Sequence, residues 1–515
     1  MSRRSARARR PAPPRGANRR EVIAAAFAAA AASCLPRARP AAPAPRFDLP
    51  IVVDVHCHDL NASDLPITGF IARTVPGLAE LSRAVSPLPE QILRKVVGTI
   101  HGWLNAAAPT ADAEAAQLRA LLGQPGIIEP VAPLTLAPGP INQLADQIAG
   151  LLGLDAAALR GHLTSLAGTL HLVGHGRARL AATLATTYPR VALFTPLLVD
   201  YDAWSDDHPA SPLGAQLAPH ALLAQLALRG RVGRAGALFH PFVAFDPLRE
   251  AQRGGALAIV RQALERSGFA GVKVYPPVGF LPIGNAGLAR DPARGQALDN
   301  ELGQALDTAL RALYTYCAAE EVPITTHASP SNQFALGFGE LAAPANWAPV
   351  LRERPTLRLN FGHFGHDTGA LGAEGIAAPS AWMRQAAELI QQYPNVYADL
   401  SGSPLVYDPD YAARFGGYLR TLCARFPRLT TRLMYGSDWW LCRFDPGGAA
   451  LTEAFEARLE TWLGAPAREA IMGRNALRFL GLLDDDDRLL LGNRNRLRLR
   501  AFQAQGGGAT PAWFG

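Results

Sequence analysis

The sequence predicts an α/β protein, a (β/α)8 TIM barrel with a large, mostly helical insertion after its first strand. Three observations carry that expectation. From residue 50 onward, apolar strand-like runs alternate with helical stretches. The candidate strands number eight, and four of them end on a histidine or an aspartate. Four strand ends can deliver side chains to one cation only if the strands run parallel and finish on the same rim, which is where barrels of this kind build their sites.

The first strand covers 51 to 56, where the apolar run Ile51-Val52-Val53-Asp54-Val55 leads into His56, Cys57 and His58. Residues i and i+2 of a strand share a face, so the two imidazoles can converge while Cys57 points away. The remaining strands are expected at 191 to 199, 238 to 244, 270 to 275, 323 to 327, 357 to 363, 395 to 400 and 432 to 437. Those at 323, 357 and 432 deliver His327, His363 and Asp438 at or just past their ends. Helices are expected at 255 to 266, 300 to 320, 380 to 392 and 411 to 425, and the run from Ala467 to Leu480 closes the barrel. Residues 60 to 190 interrupt this spacing with an Ala/Leu-rich insertion, helical over 111 to 123, 141 to 152 and 155 to 187. A segment leaving the C-terminal end of a barrel strand emerges over the site, so it is placed to act as a cap. Its histidines, His162, His171 and His175, read as surface or packing residues. The domain reading is therefore a leader at 1 to 46, the barrel at 47 to 483 and a peripheral tail at 484 to 515.

The formal charge of +7 is a property of the leader. Residues 1 to 46 hold 11 arginines against Glu21, leaving 39 basic and 42 acidic residues in the remainder, a net of −3. That balance removes the argument for a nucleic-acid partner. Arg19-Arg20, the apolar run Val22 to Ser33 and Cys34 resemble a twin-arginine export signal, which implies a periplasmic mature protein, with a cytoplasmic one as the alternative. The apolar run is too short to span a bilayer, and no membrane span is expected in the mature chain. Cys57, Cys317, Cys423 and Cys442 lack the regular spacing of a disulfide framework or a zinc ribbon.

Imidazoles and carboxylates at strand ends suit Zn²⁺, Mn²⁺ or Fe²⁺ and leave a coordination position for water. The arrangement resembles the amidohydrolase superfamily, and more closely its amidohydrolase-related branch, which also contains aminocarboxymuconate semialdehyde decarboxylase. The residues that carry the resemblance are Asp54-Val55-His56-Cys57-His58, Gly271-Val272-Lys273-Val274-Tyr275-Pro276, Thr326-His327-Ala328-Ser329, Gly362-His363-Phe364-Gly365, Tyr397-Ala398-Asp399-Leu400-Ser401-Gly402 and Tyr435-Gly436-Ser437-Asp438. The resemblance implies a divalent metal, most readily zinc with one ion per chain, held by His56, His58, His327 and Asp438, with His363 beside it as a catalytic group. A bound cation lowers the pKa of its water and polarises a carbonyl. Asp438 can then move the water's proton to the leaving group, and His363 can stabilise developing charge or act as acid or base.

Lys273 stands apart, because the chain contains two lysines, Lys95 and Lys273, against 48 arginines. Alternation places it on the inner face of its strand with Tyr275, where it could be carboxylated to bridge two metals or stay an ammonium in a partly buried ion pair. Asn61 and Asp64 could touch substrate or cap their loop. Asp399 could orient a ligand histidine or cap a helix, His366 could contact substrate, and Trp439 and Trp440 could line a pocket or simply pack. The expected activity is metal-dependent hydrolysis of a C–N or C–O bond in a small molecule, an amide, lactone or ester. The alternative is non-oxidative decarboxylation of a small aromatic or unsaturated acid. The expected partners are the small-molecule substrate and, in a homo-oligomer, further copies of the chain.

Overall fold

A computed structural model describes residues 46–47, 49–66, 108–132, 168, 171–205, 208–286, 300–330, 333–334, 337–365, 380–402, 409–442, 447–507 and 511–514. The strands in it are β1 (Val52–Cys57), β2 (Val191–Pro196), β3 (Leu238–Phe239), β4 (Phe242–Ala244), β5 (Gly271–Val274), β6 (Ile324–His327), β7 (Leu359–Gly362), β8 (Val396–Asp399) and β9 (Leu433–Met434). Every pairing between them is parallel. The strand expected at 238 to 244 is broken in two by Pro241, which has no amide proton to give to a ladder. Its halves still act as one strand: His240 N donates to Phe194 O at 3.0 Å and Leu198 N donates to Phe242 O at 3.0 Å, so β2 reads across the break. The ring closes between its last and first strands, where Val55 N donates to Tyr435 O at 3.2 Å and Asp438 N to His56 O at 2.7 Å. Eight parallel strand positions closed on themselves make the (β/α)8 barrel.

The alternation along the strands sets which residues face inward. Val272, Val274, Ile324, Leu359, Phe361, Val396 and Ala398 join the cluster shared with the surrounding helices. Val53, Val55, Leu193, Phe242, Tyr397 and Met434 form a second cluster with Leu477, Phe479 and Leu480 of the closing helix. That helix runs from Ala465 to Phe479 with a π-helical turn at Ala470–Arg474. The turn brings Gly473 so close to β1 that a Cβ there would lie 2.0 Å from Ile51 O, a close approach of backbone that only glycine permits.

The segment read as a peripheral tail is built into this second cluster. Its helix, Arg494–Gly506, is capped by Asn493, whose side chain accepts from Asn495 N and Arg496 N. Leu499, Phe502, Trp513 and Phe514 are buried against the barrel, and the buried Arg496 guanidinium donates to Phe514 O. The polar character of 484 to 500 hid the few apolar positions that do this packing.

Of the insertion, the helices Ala111–Leu122 and Arg177–Thr187 are described, while the helix expected at 141 to 152, most of the run from 155 to 176 and His162 lie outside the described residues. The leader and its twin-arginine pair also lie outside them. Of the other insertion histidines, His171 Nε2 donates to Ala132 O at 3.0 Å and His175 Nδ1 to His171 O at 2.8 Å. Both serve the local fold. Among the described residues no helix is long and apolar enough to cross a membrane.

Candidate active site

The C-terminal rim of the barrel gathers the side chains expected there. His56 at the end of β1, His363 just past β7 and Asp438 just past β9 offer donor atoms that all lie within 4.8 Å of one another. His58 Nε2 stands 3.8 Å from Asp438 Oδ1, and His363 Nδ1 stands 4.0 Å from Asp438 Oδ2. His327, at the end of β6, joins through its ring: His327 Nδ1 and His363 Nε2 are 3.2 Å apart. The four histidines and the aspartate of the expected site therefore share one rim, but the tightest group contains His363 in place of His58 and His327. His366 lies outside the described residues.

Local backbone shapes the site as much as the side chains do. His363, Phe364 and Asp438 have φ of 66°, 52° and 42°, left-handed values that non-glycine residues adopt rarely and that cluster where function fixes a geometry. Glycine makes room at two places. A Cβ at Gly362 would lie 2.9 Å from His56 Cε1, and one at Gly436 would lie 2.7 Å from His56 Cβ. The His56 ring is thus seated between two strands that must both leave space for it.

Hydrogen bonds fix each imidazole. His56 Nδ1 donates to both Asp399 oxygens at 3.1 Å and reaches Ser401 Oγ at 2.9 Å, which leaves the lone pair on Nε2. His58 Nδ1 donates to Leu197 O at 2.7 Å, so its Nε2 also carries a lone pair. The indole N–H groups of Trp439 and Trp440 donate to His58 O at 2.6 and 2.8 Å and hold that residue's backbone in place. His363 Nδ1 donates to Ser401 O at 3.3 Å. Asp399 is the hub: besides His56 it accepts from Asn360 Nδ2 at 2.7 Å, Ser401 Oγ at 2.5 Å and His363 N at 3.1 Å. Asp399 was expected to orient a ligand histidine or to cap a helix; it orients the His56 ring.

The electrostatics suit neutral ligating imidazoles. Burial, with the charges of His56 and Lys273, lowers the His58 pKa to about 3, and burial holds His327 and His363 well below the usual histidine range. Burial raises the Asp399 pKa, but the charge of His56 and the hydrogen bonds from His56 and Ser401 outweigh it, and the carboxyl stays ionised. Asp438 is raised above the usual range by burial, with His56 and Lys273 pulling the other way. A neutral His58 with its Nδ1 committed to Leu197 O, beside the His56 ring and the buried Asp438 carboxyl, makes a donor set that fits a divalent cation.

Several participants lie in the quoted motifs, but the sequence assigned them no role. Ser401 joins His56, His363 and Asp399 in one network. Asp54, fully buried, accepts from Ser437 N at 3.0 Å, Ser437 Oγ at 2.6 Å and His56 N at 3.1 Å, tying β1 to the turn that carries Asp438. Burial, only partly opposed by those bonds, raises its pKa to about 7. Asn61 and Asp64 cap their own loop, Asn61 Oδ1 accepting from Ser63 N at 3.0 Å and Asp64 Oδ2 from Asn61 N at 2.9 Å.

The family model described as amidohydrolase matches residues 179–482, more than half of the chain. This chain belongs to the amidohydrolase family. The matched span begins after β1 and so leaves out His56, which shares the tight cluster with Asp438, and His58, whose Nε2 stands 3.8 Å from Asp438 Oδ1. Among curated proteins none matches. Solved structures similar to this amidohydrolase include an uncharacterized TIM-barrel protein from Bordetella bronchiseptica, 16% identical, covering 69% of this chain and 96% of that one at a TM-score of 0.36. Two more are an amidohydrolase from Burkholderia multivorans with bound zinc (16% identical, 84% and 99% covered, TM-score 0.31) and amidohydrolase 2 from Bifidobacterium longum subsp. infantis (14%, 84% and 99%, 0.30). The protein is an enzyme of the amidohydrolase type, and its rim is suited to a divalent metal.

Beside the cluster, Lys273 borders a small pocket of about 10 Å³, room for one water-sized group, with Leu198, Asp200, Phe245, Asp246 and Tyr275 among its lining. The partly buried ion pair expected for Lys273 is not formed: among the described residues its Nζ has no hydrogen-bond partner. Asp399 and Asp438 affect it only through their charge, and burial lowers its pKa to about 8. Asp246 Oδ1 accepts from Leu248 N at 2.7 Å and Arg249 N at 3.3 Å as the cap of the helix Pro247–Arg253. Burial and the charge of Asp200 raise Asp246 to about 8 against the two backbone bonds. The native state therefore keeps a proton on Asp246 between about pH 4 and 8 that the unfolded chain releases, and stability falls as pH rises through that window. Asp246→Asn keeps the cap and removes the titration. Urea midpoints at pH 5 and 8 should differ less for the variant than for the wild type, and an unchanged difference would remove Asp246 as the cause.

Proposed function

We propose that this amidohydrolase is a metal-dependent hydrolase of a C–N or C–O bond in a small molecule, an amide, lactone or ester. The observation that carries this reading is the convergence of His56, His363 and Asp438, with His58 and His327 against them, at one end of the barrel. In this reading His56, His58, His327 and Asp438 hold the metal, zinc being favoured over manganese or iron and one ion over two. When bound, the cation supplies Lewis acidity, lowering the pKa of water and polarising a carbonyl oxygen.

The chain's own residues do the rest. Asp438, made more basic by burial, takes the proton of the attacking water and returns it to the leaving nitrogen or oxygen. His363, held at Nδ1 by Ser401 O and at Nε2 by His327, presents a fixed ring edge to the charge that develops on the substrate. Asp399 holds the His56 tautomer while Ser401 and Asn360 hold Asp399. Asp54 fixes Ser437 and thereby the turn that aims Asp438.

The test is a pH-stat assay of the zinc-loaded enzyme against a panel of lactones and esters and an ammonia assay against amides, with gas analysis for carbon dioxide in parallel on aromatic and unsaturated acids. Acid or ammonia release that a chelator stops and zinc restores is the expected result. Carbon dioxide without consumption of water would assign decarboxylation instead, and turnover indifferent to the chelator would overturn both. The twin-arginine-like leader goes with a periplasmic site of action, which fractionation of the native host would check.

A further inference from the structure

We infer that the pocket bordered by Lys273 and Asp246 is a carboxylate subsite, and that the substrates of this enzyme are small organic acids whose carboxylate binds there while the scissile carbonyl faces the histidine cluster. This rests on the proposed hydrolase reading and specifies its substrate class.

Four observations point the same way. Lys273 is 1% exposed, and its Nζ has no hydrogen-bond partner among the described residues. A buried ammonium left unmatched is costly, so a site that keeps one is shaped for an anion that comes and goes. The carboxylates nearest to serve as permanent partners are committed elsewhere: Asp399 is taken by His56, Asn360 and Ser401, and Asp438 faces His58 and His363. The Tyr275 ring offers only a marginal cation–π contact, with Nζ 6.0 Å from its centroid.

The second orphan is in the same pocket. Asp246 is 2% exposed, and its Oδ2 has no hydrogen-bond partner among the described residues. The neighbouring Asp200 is neutralised by a two-pronged pair, Arg249 Nε to Oδ2 at 2.6 Å and Arg249 Nη2 to Oδ1 at 2.8 Å. As a protonated acid, Asp246 turns an O–H rather than a charge toward the pocket, so a carboxylate finds one ammonium and one hydroxyl donor. The two sit on adjacent strands. Lys273 pairs with Ala244 in the β4–β5 register, and Asp246 follows two residues later. The remaining wall, Leu198, Val199, Ala244, Phe245, Val278 and Phe280, is apolar, which strengthens a charge-assisted bond made inside it.

The chain's lysine usage agrees with the assignment. With arginine at 48 of the 50 basic positions, a compact ammonium was kept where a planar guanidinium would need far more room and more acceptors.

The experiment uses zinc-loaded full-length protein and calorimetric titration with malonamate, succinamate and glutaramate against the corresponding neutral diamides. Each pair shares an amide carbonyl and differs by one carboxylate. At least one monoacid should bind about tenfold or more tighter than its diamide, the strength of one charge-assisted hydrogen bond. Lys273→Met, matched in length and apolar, should bring the pair to within about twofold while zinc content stays unchanged. No preference in the wild type overturns the subsite, and this outcome needs no variant to fold. A preference that survives Lys273→Met places the carboxylate on the metal and overturns it as well. Loss of zinc in Lys273→Met assigns the lysine to the metal centre, with the same consequence. The carboxylate preference without any ester, lactone or amide turnover would sink the hydrolase reading and leave the subsite standing.

Discussion

Asp438→Asn should lower kcat by roughly 10²–10⁴-fold on whichever ester, lactone or amide proves to be turned over, the range expected for loss of a positioned acid–base group. Asparagine is a better replacement than alanine here. The residue sits at φ 42°, and asparagine tolerates left-handed backbone where alanine is strained. Asp438 N still donates to His56 O, and the side chain keeps its shape while losing charge and basicity. Circular dichroism and the urea midpoint should therefore stay close to wild type. Because Asp438 also belongs to the proposed ligand set, zinc content must be measured beside turnover. A variant that keeps zinc and loses turnover isolates the proton-transfer role, and one that keeps both would remove Asp438 from the chemistry.

The site was legible in the sequence where chemistry and local pattern coincide. His56 and His58 follow an apolar strand, and His327, His363 and Asp438 each end another, so residue type and strand end pointed to the same rim. Lys273 stood out by composition, and strand alternation correctly turned it inward, away from Val272 and Val274. What could not be read was partnership across the barrel. Asp399 and His56 are 343 positions apart, as nearly are Ser401 and His56, and no local pattern distinguishes a serine that bridges two imidazoles from one that caps a turn. The expected ion pair of Lys273 failed for the same reason. Its potential partners exist on the same rim, but other donors had already claimed them. The break at Pro241 was written in the sequence, since proline inside a strand run signals an interruption, and the tail was misjudged because five buried apolar side chains, Leu489, Leu499, Phe502, Trp513 and Phe514, among many arginines leave little periodic signal.

Arg177→Met should cost about 3–5 kcal/mol of folding stability, the range for removing one member of a buried ion pair and leaving its partners uncompensated. Arg177 is 1% exposed; Nη1 donates to Glu114 Oε2 at 2.7 Å, Nη2 to Asp64 Oδ1, and Nη2 also to Ser63 Oγ at 3.2 Å. Burial alone would lower its pKa, but the charges of Asp64 and Glu114 more than reverse that, so the guanidinium stays charged. These contacts join three separate pieces: the loop that follows His58, the helix Ala111–Leu122 and the helix Arg177–Thr187. Glu114 adds a bond from Ala178 N at 2.8 Å, so the loop after His58 is fastened to the insertion through this arginine, while Ser63 Oγ, 2.7 Å from Ser211 Oγ, ties the same loop to the residues before the helix Leu213–Leu228. Arg177→Lys should fall between wild type and Arg177→Met, because an ammonium cannot reproduce the fork that meets two carboxylates at once. Urea titration of the three proteins checks the order. A loss below about 1 kcal/mol in Arg177→Met would mean that the two carboxylates find other partners or take up protons, and that the insertion is held by its apolar contacts alone. The contrast with Asp438→Asn then separates the two tasks of this rim: one carboxylate is kept for chemistry at little cost to the fold, and one buried cation is kept for the fold, holding the first strand's loop where the chemistry needs it.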